Sequence, residues 1–119
     1  MKLVTRESLQ AIIDRADERK KIQIVGRALV VLFNNQTKDE QRVNDTNEHN
    51  GIGFTGADGY SGCITAKTFI KRGTLLDWQL ERWLKPAKSG YSRITKYHNQ
   101  LNQAAIARKT AEENLQVTD

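Results

Sequence analysis

Apolar residues recur every three or four positions along most of this chain, and few runs alternate with the period of two that strands need. The pattern predicts an all-α domain of about five helices joined around one long Gly/Asn-rich loop. Thr5 is placed to cap a first helix, with Glu7 near the positive end of its dipole. Leu9, Ile12, Ile13 and Ala16 share one face of it. The charged run Asp17–Lys21 reads as a solvated break. Ile22, Val25, Leu29, Leu32 and Phe33 then form a second stripe. Ile24, Val30 and Val31 make this second helix apolar on more than one face, which puts it at the centre of the core. Arg27–Phe33 also reads as a strand, because a short apolar run fits either period. Thr37 and Glu40 have capping-box spacing, so a short helix is expected from Lys38 to about Val43.

Asn44–Gly59 is rich in Asn, Asp, Thr and Gly and reads as a loop. A third helix is expected from Asp58 or Tyr60 to Arg72, with Gly73 as its C′ residue and Ile64, Phe69 and Ile70 facing inward. Thr74 is expected to cap a fourth, with Asp77 at N3 and Leu76, Leu80, Trp83 and Leu84 as its stripe. Pro86 ends that helix and Lys85–Gly90 forms a turn. A last helix runs from Tyr91 or Ser92 toward Leu115, with Ile94, Tyr97, Leu101 and Ala104 or Ala105 inward.

The length, 119 residues, suits one domain spanning 1–119. Hydrophobic residues make up 38% and charged residues 28%, a polar but foldable balance. A single cysteine excludes an intramolecular disulfide and any Cys-based zinc site. With only two histidines, no metal constellation and no cofactor site is expected. The opening residues lack the apolar core of a signal peptide, and no run approaches the roughly 20 apolar residues of a membrane span. The expected setting is the cytoplasm of a host cell, with no membrane partner.

Charge changes the picture more than composition does. Residues 67–109 hold ten of the 19 basic residues and two of the 14 acidic ones. The cations are Lys67, Lys71, Arg72, Arg82, Lys85, Lys88, Arg93, Lys96, Arg108 and Lys109, interleaved with Phe69, Trp78, Trp83, Tyr91 and Tyr97. Cations set against phosphates release counterions and drive sequence-independent binding to DNA or RNA. Trp78 lies off the apolar stripe and Tyr91 sits in the turn, so either ring is a candidate to stack on a base. A solvated basic face, with Trp83 and Tyr97 as ordinary core aromatics, accounts for the same pattern. So does an acidic protein surface as partner.

The glycine loop Gly51–Gly56 matches G-x-G-x-x-G letter for letter. It lacks the preceding buried strand and βαβ context that dinucleotide binding requires. The structural reading has its glycines allowing positive φ, Phe54 plugging the core and Asp58 capping the next helix. Asp45, Glu48 and His49 suggest a metal-dependent nuclease only weakly, because such sites need several converging ligands. His98 reads as exposed or hydrogen-bonded, and Cys63 as a small buried residue. Ser61, Thr65 and Thr68 have no triad around them. The chain is read as non-enzymatic.

From about Leu29 to Leu101 the chain resembles a small module of bacteriophage and mobile-element proteins, sometimes found beside helicase domains. The residues that carry the resemblance are Leu32–Gln41, His49–Gly59, the small residues around Ala66, Leu75–Pro86 and Arg93–Leu101. The shared pattern is a Gly-Phe-x-Gly-x-Asp loop, a helix, a Leu/Gln helix and a Lys-Tyr…Gln-Leu helix. Similar modules carry a proline and a lysine where this chain has Asp77 and Trp78. The resemblance implies a phage or plasmid origin and a nucleic-acid-metabolism setting, and no catalytic residues. It favours a phage-type nucleic-acid-binding accessory protein, with Lys67, Lys71, Arg72, Lys85, Lys88, Arg93 and Lys96 on phosphates. It also raises a phage-encoded inhibitor that docks on a host defence or DNA-processing complex, with Trp78 and Arg82 as anchors. The two-sided apolar second helix leaves room for a homodimer.

Overall fold

The first three helices start where a side chain accepts an orphan N–H of the first turn. In the computed structural model, which describes residues 3–44 and 52–117, helix α1 spans Arg6–Arg15. The Thr5 hydroxyl accepts the Ser8 N–H at 3.1 Å, and Ser8 Oγ accepts the Thr5 N–H at 2.8 Å. Asp17 does the same for α2 (Glu18–Asn34), its carboxylate accepting the Lys20 N–H at 2.8 Å. The break between the two helices is therefore narrower than the charged run, since Glu18–Lys21 is already the first turn of α2. Helical spacing wins over the strand reading of Arg27–Phe33. Val25, Leu29 and Leu32 on the inner face are fully buried, and Ile24, Val30 and Val31 are half-buried.

Thr37 and Glu40 form the expected capping box on α3 (Lys38–Val43), with reciprocal bonds of 3.1 and 2.9 Å. A 3-10 turn over Gly56–Asp58 leads into α4 (Gly59–Arg72). Gly73 ends α4 in the left-handed conformation at φ 72°, which allows the chain to reverse. Ile70 departs from its expected inward position and is exposed, while Phe69 packs against the core.

The start of α5 (Asp77–Leu84) differs from the sequence reading. Thr74 does not cap it, and Asp77 is its first residue. Leu75, 5% exposed, enters the core in place of Leu76, which is 42% exposed. The chain runs extended through Leu76, so the capping oxygen comes from inside the helix. Gln79 Oε1 accepts the Leu76 N–H at 3.0 Å, and its Nε2 donates to Thr68 Oγ1 of α4 at 3.1 Å.

The last element also starts differently. Ser92 donates its hydroxyl to the Leu84 carbonyl at 2.7 Å instead of capping. Arg93–Tyr97 is a 3-10 segment, and α6 follows over His98–Val117. Among the described residues there are six α-helices and no strand, with one isolated antiparallel bridge between Pro86 and Ser92. Helix α2 packs on α4 and also meets α5 and α6, so the chain is a single all-α domain around α2. No helix among the described residues is long and apolar enough to cross a membrane.

Candidate nucleic-acid interface

The glycine loop is built inward. Phe54 is buried against Trp83, ring centroids 6.0 Å apart, and edge-on against Tyr97 at 6.1 Å. Its N–H donates to Gln36 Oε1 at 3.0 Å. One residue earlier, Gln100 clamps Gly53 from both sides, accepting its N–H at 2.7 Å and donating to its carbonyl at 2.9 Å. Gly53 has φ 78°, and a Cβ there would collide with the Gln36 amide. Glycine is required by both conformation and space.

Asp58 does not cap α4 through its side chain. Its carboxylate is 0% exposed and turns to three partners. Tyr97 Oη donates at 2.5 Å, Lys96 Nζ lies at 2.6 Å and Arg93 Nη1 at 2.8 Å. Burial pushes this carboxyl up, but the hydrogen bonds from Lys96 and Tyr97 and the charges of Lys96 and Arg93 outweigh it. The group is held below its ordinary value. Burial and the Asp58 carboxylate push the Tyr97 phenol well up. The Thr55 N–H donates to Tyr97 Oη at 3.2 Å, completing a link from the loop to the 3-10 segment before α6. Gly53, Phe54, Asp58, Lys96, Tyr97 and Gln100 are thus tied into one network that joins the loop to the 3-10 segment and the start of α6.

That network divides the predicted cations into spent and free. Lys96 is spent on Asp58. Lys67 is half-buried and bonds the Gln41 carbonyl at 2.8 Å and Asn44 Oδ1, with its ammonium 5.8 Å from the Phe33 ring centroid. It closes α3 onto α4. Lys71 and Arg72 are exposed in the last turn of α4. Tyr91 is half-buried with the Arg6 guanidinium 5.5 Å over its ring, so one face is covered.

Three of the remaining cations meet at one edge, while Arg108 on α6 lies apart, beside Arg27 of α2. Arg82 and Lys85 at the end of α5, together with Arg93, line a cleft of about 270 Å³ whose other walls are Pro86 and Ala87. No carboxylate lines it. Arg93 is the fixed member, since Asp58 holds one edge of its guanidinium. The turn behind it is closed by Ala87 N–H to the Tyr91 carbonyl at 2.9 Å and Arg93 N–H to the Lys85 carbonyl at 3.2 Å. Lys88 is exposed on the same turn. Trp78, 60% exposed, stands one helical turn before Arg82 on α5.

The sequence reading missed the Asp58 ion pairs, the Gln36 and Gln100 clamps and the Arg6–Tyr91 stack. Only the first two left a signal, in the Asp and Lys-Tyr…Gln spacing. His98 is half-buried, its Nδ1 3.2 Å from the Thr95 carbonyl oxygen, and Cys63 is fully buried. Among the described residues no three His, Cys, Asp or Glu side chains gather as a metal site. Asp45, Glu48 and His49 lie outside the described residues. Compared with known proteins, the chain matches no family, no curated protein and no solved structure.

Proposed function

We propose that this chain is a non-enzymatic, phage-type nucleic-acid-binding accessory protein that engages its ligand along the edge formed by α5 and the turn after it. The observation that carries the reading is the cleft lined by Arg82, Lys85 and Arg93, with Asp58 holding Arg93 from behind and no carboxylate in the lining, beside an exposed Trp78. Like charges gathered in a concave site repel one another, and a polyanion relieves that repulsion. Lys88, Lys71 and Arg72 extend the positive field. Lys67 and Lys96 contribute through the fold rather than through phosphate contact.

The test is a salt series of binding to labelled DNA and RNA. With about three phosphates neutralised, log affinity falls against log salt with a slope of about −2 to −3. Lys85→Glu with Lys88→Glu weakens binding on all sequences alike and flattens that slope by about 2. A flat salt response, or an unchanged double variant, overturns the reading.

The exposed Trp78–Arg82 pair favours a second reading, a protein inhibitor docking on a host defence or DNA-processing complex, because Trp and Arg anchor protein interfaces. Absence of binding to any bare nucleic acid at about 50 mM salt, together with a stable complex with one host protein, selects it.

A further inference from the structure

We infer that the α5 edge is built for single-stranded nucleic acid, with one phosphate in the Arg82–Lys85–Arg93 cleft and the neighbouring base stacked on Trp78. The inference rests on the nucleic-acid reading above and narrows its ligand. Three features of the edge point this way.

Three cations, Arg82, Lys85 and Arg93, converge on one cleft. Arg93 is fixed by its ion pair to Asp58 at 2.8 Å, and the turn Lys85–Arg93 is closed by its own hydrogen bonds. Such a preorganised site suits one convex anionic group. A duplex presents two continuous rows of phosphates, which a cleft of about 270 Å³ cannot track.

Trp78 offers the second feature. Its ring is 60% exposed on a helix whose other aromatic, Trp83, is fully buried. A stacking platform needs a free base face, which single strands provide and paired bases keep inside the helix. Tyr91 cannot share the task equally, because Arg6 covers one face of its ring. Trp78 and Arg82 are four residues apart on α5, about 6 Å along the axis, within the reach of one nucleotide.

The third feature is the acidic residues. Asp77 and Glu81 are exposed on α5, flanking Trp78 on the chain. A duplex lying along this helix would bring phosphates against both carboxylates. A strand that places a neutral base over Trp78 and its phosphate at the far end of α5 avoids that repulsion.

The experiment is a tryptophan-emission titration of the full chain with a mixed-sequence strand of about 12 nucleotides, and with the matching blunt duplex. Trp83 is shielded, so quenching reports Trp78. The single strand should bind at least about tenfold more tightly than the duplex and quench the emission. Trp78→Ala should weaken single-strand binding about tenfold and leave duplex binding within about twofold, while Trp78→Phe keeps most of the single-strand affinity. Equal affinity for the two forms, or a Trp78→Ala loss shared by both, overturns the inference and leaves the nucleic-acid reading standing. Absence of binding to both overturns the two together.

Discussion

The buried carboxylate of Asp58 holds three partners from one 3-10 segment. It joins the glycine loop to the 3-10 segment and orients Arg93 toward the cleft. Because its folded-state value is lowered, the unfolded chain takes up the proton first, near the ordinary 3.8. Its contribution to stability is therefore complete above that value and is lost as pH falls through the folded value. Asp58→Asn leaves two cations beside a neutral amide. Since both partners are about one-third exposed, the cost belongs at the low end of the range for breaking a buried pair, about 3 kcal/mol at neutral pH. Urea unfolding of both proteins from pH 7 to pH 3 checks this. The gap should narrow as the pH drops below about 4, and a gap constant over the range would show that ionised Asp58 is not what the network needs.

At the scale of elements, helix existence was legible and helix starts were less so. The stripe Val25, Leu29, Leu32 and the Thr37–Glu40 box predicted α2 and α3 because both signals are local: one is periodicity, the other a four-residue exchange of hydrogen bonds. The start of α5 was misread because its cap is tertiary. Burial of Leu75 fixes where the chain turns, and Gln79 then serves both the Leu76 N–H and Thr68 on α4. No local pattern around Thr74 announces that. Two substitutions separate the readings. Gln79→Leu should cost about 1–3 kcal/mol, since it orphans a backbone donor and removes the α4–α5 tie. Thr74→Ala, at an exposed residue that caps nothing, should stay within about 0.5 kcal/mol. Denaturant midpoints at constant slope would report both, and a larger loss at Thr74 would restore the local cap. The candidate site was legible at the same level. Trp78, Arg82, Lys85 and Lys88 follow from charge and from their place off the apolar stripe. The withdrawal of Lys67 and Lys96 does not, because their partners Asn44 and Asp58 lie on distant segments of chain.

For the whole molecule, the folded state gathers positive charge that the unfolded chain spreads out. Ten of the 19 basic residues fall within residues 67–109. The fold neutralises Lys96 and part of Arg93 internally and leaves Arg82 and Lys85 facing one cleft. Assembling that edge costs electrostatic free energy, and on the proposed function a polyanion would return it only while the chain is folded. A ligand at 100 times its dissociation constant adds about 2.7 kcal/mol to a state that alone can bind it. For a domain of this size that corresponds to a rise in Tm of roughly 10 °C. Calorimetry with and without a single-stranded oligonucleotide at low salt should show that rise, and it should shrink as salt is added. Lys85→Glu with Lys88→Glu should abolish most of the rise while leaving the free protein at least as stable, because the substitutions relieve like-charge repulsion at an exposed turn. If the double variant kept the full rise, the polyanion would have to sit elsewhere, with the exposed Lys71 and Arg72 at the end of α4 as the next surface to test.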